Sequence, residues 1–290
     1  MRSVFELFAI NGGRKGNKMK LPVKFQMAAA LMTVALAAPA VADDKPEFKY
    51  SYNVGITTDY VFRGFSQTAE RPTGQAGLDL SYGIFYAGIW GSGLDFGKDT
   101  VSGKNIAKAE VDFYAGIKPV WKGITFDLGL IYYAYPGALD ERLTAIDGEL
   151  NYLELKAGMS REIWKDGTLS STYYFSPDNT NSTGKVFTSE TSFTQVLPAW
   201  GPITPSVSAL IGYQKGSDDR YIALVGNGDK SYLYWNAGVT LGWEKFSLDL
   251  RYWDTDIKND NGAAGFSSNF CKGGTFQCDE RYMATFKFTY

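Results

Sequence analysis

From Phe48 to Arg63 the chain alternates. Phe48, Tyr50, Tyr52, Val54, Ile56, Thr58, Tyr60 and Phe62 hold one phase; Lys49, Ser51, Asn53, Gly55, Thr57, Asp59, Val61 and Arg63 hold the other. A period of two places each set on its own face of a strand. One face is rich in aromatics, and every charge lies on the opposite one. Such a strand needs an apolar medium along one side and a polar medium along the other, which excludes most folds before composition is considered.

The pattern recurs. Residues 107–118 set Ala107, Ala109, Val111, Phe113, Ala115 and Ile117 against Lys108, Glu110, Asp112, Tyr114, Gly116 and Lys118. Residues 124–135 set Ile124, Phe126, Leu128, Leu130, Tyr132 and Ala134 against Thr125, Asp127, Gly129, Ile131, Tyr133 and Tyr135. Shorter or weaker versions lie near 74–82, 85–96, 150–161, 168–176, 186–197, 203–213, 232–242, 246–254 and 281–290, and both phases are mixed in 186–197. The spacing predicts an all-β fold of about twelve strands.

The connections alternate in length. Long polar segments near 64–73, 97–106, 136–149, 177–185, 214–231 and 255–280 follow the odd strands, whereas short ones near 83–84, 119–123, 162–167, 198–202 and 243–245 follow the even ones. Trp121, Trp164, Trp200 and Trp243 sit in or beside the short turns, where an interfacial aromatic girdle would place them. A soluble sandwich also alternates, but it meets another sheet on its apolar face. Aromatic outer faces, strands of ~10 residues, an even count and one trimmed end favour a closed antiparallel transmembrane β-barrel with short periplasmic turns and long extracellular loops.

The chain stops inside a strand, with Tyr282, Ala284, Phe286, Phe288 and Tyr290 on one phase. Lipid offers no partner to unpaired backbone groups, so a membrane sheet must close and its last strand must pair with its first. Closure between 281–290 and 48–63 is therefore expected.

At the other end, residues 19–42 combine Lys20 and Lys24, an apolar stretch from Met27 to Val41, and the small-x-small ending Ala40-Val41-Ala42. This reads as a cleaved secretory signal, preceded by an extension over 1–18, so residues 1–42 are processed and 43–290 form the barrel. Removing 1–42 takes six bases and one acid from totals of 29 and 31, which leaves 23 against 30, a net charge of about −7. No clustered basic surface suggests nucleic-acid binding.

The sequence has no histidine. That removes His-dependent triads, His-containing metal sites and imidazole proton shuttles. Glu110 and Asp112 could serve as an acid/base pair, but i and i+2 on a lumen-facing strand is the ordinary place for solvated charge. No catalytic residue, metal site or cofactor is predicted, and the chain is read as no enzyme. Cys271 and Cys278, with six residues between them in the last long loop, suit a loop-pinning disulfide in an oxidising compartment.

Function is expected in the lumen. Inward-phase cations are Lys49, Arg63, Lys108, Lys118, Lys156, Arg251, Arg281 and Lys287, against Asp59, Asp79, Glu110, Asp112, Asp127, Glu154, Glu190 and Asp249. Twelve of these are taken as pore-lining: Asp59, Arg63, Asp79, Lys108, Glu110, Asp112, Asp127, Glu154, Lys156, Asp249, Arg251 and Lys287, with Asp59 and Arg63 near the outer mouth. Eight against eight gives no strong ion selectivity overall, and it equally suits an interior plugged by salt bridges. Gly55, Gly77, Gly88, Gly116, Gly129 and Gly158 on the inward phase would widen a path or relieve crowding. Inward Trp90, Tyr114, Tyr133 and Tyr174 would fill the lumen or offer a ring a surface to slide along.

NVGITTDYVFRGFSQT (53–68), QAGLDLSYGIFYAGIWGS (75–92), EVDFYAGIK (110–118) and DLGLIYYAYPG (127–137) resemble the TorF-type porin family of Gram-negative bacteria, most distinctively around Asp59, Tyr60, Arg63, Gly64 and Ser66. The second half follows that family mainly in strand rhythm, and the cysteine pair is not part of its pattern. The resemblance implies an outer-membrane barrel and a pore, with no substrate. It also implies that the terminal aromatic, Tyr290, is recognised by the barrel-assembly machinery. The expected partners are thus outer-membrane lipid, that machinery and small hydrophilic solutes in passive diffusion. The rival is an occluded structural or ligand-binding barrel acting through its extracellular loops.

Overall fold

The computed structural model describes residues 46–99, 102–139, 149–219, 221, 230–257 and 276–290. β1 (Phe48–Thr57) is followed by a small hairpin of β2 (Val61–Phe62) and β3 (Phe65–Ser66). Next come β4 (Thr73–Tyr82), β5 (Phe85–Gly93), β6 (Ala109–Ile117), the two residues of β7 (Val120–Trp121) and β8 (Ile124–Ala134). The series ends with β9 (Tyr152–Trp164), β10 (Gly167–Ser176), β11 (Val186–Val196), β12 (Ile203–Gly216), β13 (Ser231–Trp243), β14 (Phe246–Thr255) and β15 (Arg281–Thr289).

Each long strand pairs antiparallel with its neighbours in sequence, β6 joins β8, and β15 joins both β14 and β1, so the sheet closes. β7 continues the line of β6 beyond Pro119, which has no N–H to donate to a ladder. Twelve long strands therefore make one ring. The closing register sets Asn53 opposite Thr289 and Ile56 opposite Phe286.

The sidedness is the reverse of a soluble protein. Phe48, Tyr50, Val54 and Ile56 are exposed on the outside, and Tyr282 is 82% exposed, whereas Asp112 and Glu154 inside are 0% and 1% exposed. Charges are almost never fully buried in water-soluble folds, and a continuous apolar outer belt calls for lipid. Trp121, Trp164, Trp200 and Trp243 are all exposed beside the short turns. The mixed phases of 186–197 resolve as β11, with Thr188 and Val186 buried inside and Phe187 outside.

One strand ends early. The alternation predicts a first strand to Arg63, yet β1 stops at Thr57 and the chain then turns into the lumen. Thr57 Oγ1 donates to the Asp59 carbonyl at 2.6 Å, bending the chain. Arg63 and Gly64, at φ 49° and 88°, form the two-residue turn between β2 and β3. Positive φ at both turn positions is what a tight hairpin requires, and Gly64 adopts it without strain. Tyr60 and Phe62, predicted to face lipid, instead pack inside against Trp90 and Tyr133 at ring separations of 5.3 and 5.8 Å.

Candidate functional site

The hairpin and its flanks fill the long-loop end of the lumen. Asp59 anchors them: one carboxylate oxygen accepts from Ser66 Oγ and Thr68 Oγ1, both at 2.7 Å, and the other accepts from Arg281 on β15 at 3.2 Å. The Tyr60 N–H donates to Thr68 Oγ1, and the Gln67 N–H donates back to the Tyr60 carbonyl, so 60–68 is a self-bonded unit. Two apolar clusters grip it. Val61 packs with Tyr232, Tyr234 and Trp253 on one side, and Tyr60 with Leu94, Tyr133 and Tyr152 on the other.

At the tip, Arg63 crosses to the far wall. Its guanidinium donates to both oxygens of Glu154 on β9, at 2.6 and 2.8 Å, and lies over the Phe62 and Tyr174 rings at 4.7 and 4.8 Å. Tyr133 also donates to Glu154 at 3.0 Å, and Tyr232 donates to the Arg63 carbonyl at 3.1 Å. Burial works against the Arg63 charge, but Glu154 beside it more than offsets this and holds the guanidinium protonated. Away from water the two charges attract more strongly, against the cost of desolvating both, so losing either partner would strand the other.

Tyr60 reaches the third wall group, donating to Glu110 Oε1 on β6 at 3.2 Å. Burial, followed by the nearby carboxyl groups of Glu110 and Asp112, keeps the Tyr60 hydroxyl protonated well above the ordinary phenol range. Asp112 is the exception in the network. It is fully buried, and among the described residues neither of its carboxylate oxygens has a hydrogen-bond donor.

Beyond the hairpin lies a cavity of about 150 Å³, roofed by Tyr60, Phe62 and Arg63 and walled by Asp79, Tyr86, Lys156, Arg251 and Lys287 among others. Most wall charges are paired. Asp127 takes Lys156 at 2.7 Å and Lys118 at 3.8 Å, and Asp249 takes Arg251 at 2.9 Å. Tyrosines cross between strands: Tyr114 donates to Asp79, Tyr86 to Asp127 and Tyr234 to Glu190, each at 2.6 Å. The inward glycines make this possible. A Cβ on Gly88 would strike the Tyr114 ring, and one on Gly116 or Gly129 would strike Tyr86. These glycines seat rings across the bore.

Of the twelve residues expected to line a pore, Asp59, Arg63, Glu110, Asp112 and Glu154 meet at the hairpin, while Asp79, Lys156, Asp249, Arg251 and Lys287 border the cavity. Asp127 binds the cavity lysine Lys156. Lys108 lies one residue before β6, exposed, its carbonyl accepting from the Leu94 N–H. Sequence reasoning missed the roles of Tyr60, Ser66 and Thr68; the Arg63-Gly64 turn was the signal for them. Cys278 is fully buried, and its carbonyl accepts from Thr255 Oγ1 at 2.7 Å; Cys271 lies outside the described residues, as does the signal segment.

The fold and its interior define a closed, twelve-stranded transmembrane β-barrel with an inward hairpin in its bore. Residues 41–290 match the family model described as a bacterial protein of unknown function (Gcw_chp), and the chain belongs to that family. The model's name differs from that of the porin family whose motifs the first half resembles. Similar solved structures include the NanC porin, at 10% identity and TM-score 0.46, covering 83% of this chain and 98% of that one. The KdgM porin, solved in complex with disordered oligogalacturonate, has 7% identity and TM-score 0.45 with the same coverage. LpxR from Salmonella typhimurium has 11% identity and TM-score 0.38, covering 83% of this chain and 99% of that one. No curated protein matches the chain. The barrel rests on its own pairing register, not on these likenesses.

Proposed function

We propose that this chain is a porin-like channel of the bacterial outer membrane, kept shut by the segment 58–72 and passing small hydrophilic solutes or ions when that segment gives way. The observation that carries the reading is the Arg63–Glu154 pair, which ties a loop to the far wall in a bore bordered by the charged side chains of Asp79, Lys156, Asp249, Arg251 and Lys287. A barrel of about eight strands fills its interior with its own side chains, while about sixteen leave an open channel. Twelve strands leave space that the hairpin occupies.

In this reading the short turns face the periplasm, the Trp belt sits at the inner interface and the long loops face outward. The signal at 19–42 directs export, and the mature chain begins near Asp43. The strand ending at Tyr290 is read by the barrel-assembly machinery, lipid covers the outer belt, and Cys271 pairs with Cys278 in the last loop. The TorF-type resemblance at 53–137 belongs to the same reading.

Single-channel recording in planar bilayers tests it. The wild-type barrel should insert with rare, brief openings, and Arg63→Ala should raise open time and conductance. Barrels that insert correctly and stay silent in both forms would remove the channel reading. They would leave an occluded barrel that presents its external loops to a ligand, a reading favoured by the two buried clusters around the hairpin.

A further inference from the structure

Glu110 and Asp112 lie two residues apart on the inner face of β6, 2% and 0% exposed, so their carboxyl groups share one closed side of the lumen. Two carboxylates side by side on one strand face and shut away from water cannot both stay charged without a cation or several donors. Arg63, the cation of the hairpin tip, gives both of its terminal guanidinium nitrogens to Glu154. Tyr60 supplies one hydrogen bond, to Glu110, and Asp112 receives none among the described residues. No three His, Cys, Asp or Glu side chains converge to hold a metal among the described residues.

We propose that Glu110 and Asp112 form a proton-binding site beneath the hairpin, and that the proton they share holds the lumen shut. The site binds a single H⁺ between the two carboxyl groups, one acting as acid and the other as carboxylate. The hairpin is its lid, since Tyr60 closes over Glu110 from 58–72. When the lid lifts, water reaches both groups, the O–H bond breaks, the proton leaves to water and two hydrated carboxylates remain.

The remaining groups around the pair do not replace this proton. Tyr60, Tyr114, Tyr133, Tyr135 and Tyr152 are neutral phenols, and Glu154 with Arg63 is a neutral pair. The closed state thus holds one proton that the open state lacks. By linkage, closure is favoured as pH falls and opening as pH rises, with a limit of about tenfold in the open-to-closed ratio per pH unit for one proton.

This inference deepens the channel reading and rests on it for its consequence, though not for the site itself. Two measurements on the full-length barrel separate them. In planar bilayers the wild type should open progressively as pH rises, and Asp112→Asn, whose amide can donate to Glu110 without a shared proton, should be closed and flat with pH; Glu110→Gln should behave alike. In infrared spectra of the detergent-solubilised barrel at neutral pH, a protonated-carboxyl band should be present in the wild type and lost in Asp112→Asn. Heat-modifiable gel mobility confirms that each variant folds. Full pH dependence surviving in both variants, or no protonated-carboxyl band in the wild type, overturns the proton site. A barrel that shows the band but never conducts sinks the channel and leaves the proton site standing.

Discussion

Tyr290, the last residue, exchanges both backbone hydrogen bonds with Tyr52: its N–H donates to the Tyr52 carbonyl at 2.9 Å and its carbonyl accepts from Tyr52 at 3.2 Å. The two rings stack at 5.2 Å, and Lys245 lies 3.7 Å above the Tyr290 ring. The peptide of Tyr290 is thus held by the same two-bond pairing as those inside the sheet. Deleting Tyr290 removes two backbone bonds of about 1 kcal/mol each and a ring pair of similar size. Urea unfolding in detergent should show a loss of about 2–3 kcal/mol for the deletion and about 1 kcal/mol for Tyr290→Ala, which keeps the peptide. Equal losses would mean that the ring, not the pairing, secures the end.

The latch between Arg63 and Glu154 makes a second prediction. Breaking a buried pair from one side leaves an uncompensated charge and costs about 3–5 kcal/mol, whereas replacing both partners costs much less. Arg63→Met and Glu154→Leu should therefore each destabilise the closed hairpin strongly, and the double variant should recover most of the loss. A double-mutant cycle by proteolytic susceptibility of 58–72 would read this. Additive single effects would show that the two side chains do not meet.

A third prediction concerns the glycine seats. Gly212 faces the Tyr234 ring so closely that an added Cβ would overlap it. Gly212→Ala must push Tyr234 off Glu190, its 2.6 Å acceptor, and out of the cluster that grips Val61. Overpacking of this kind costs about 1–3 kcal/mol. Gly74→Ala, whose added Cβ would meet only the Gly55 carbonyl oxygen at 4.0 Å, is the control. Thermal unfolding that leaves Gly212→Ala as stable as wild type would remove the seat argument.

The strands were legible in the sequence because a two-sided environment writes itself as a period of two, and all twelve alternating segments became long strands. The inward hairpin was hidden for the same reason. Thr58, Tyr60 and Phe62 continue the apolar phase of β1 and Asp59 and Arg63 its polar phase, so nothing in the alternation marks where the strand stops; only Arg63-Gly64, read as a turn, would have. The charge balance of eight against eight was visible, but its partners were not. Arg63 meets Glu154 across 91 residues and Arg281 meets Asp59 across 222. Glu110 and Asp112 read as solvated charge, and they are buried because a distant segment folds over them.

Lys287 gives the last prediction. It borders the cavity and makes no hydrogen bond or ion pair among the described residues, whereas Lys118, Lys156 and Arg251 are tied to Asp127 and Asp249. Paired charges present little net field to a passing ion, so an unpaired one has a disproportionate effect on selectivity. Reversal potentials across a salt gradient, measured on the Arg63→Ala background to give an open path, should move toward cation preference in Lys287→Glu and about half as far in Lys287→Gln. Lys156→Gln should move them less, because it removes one of two lysines that share Asp127. If Lys287→Glu leaves the reversal potential unchanged while conductance persists, ions do not pass the wall at β15, and the conducting path lies elsewhere in the bore.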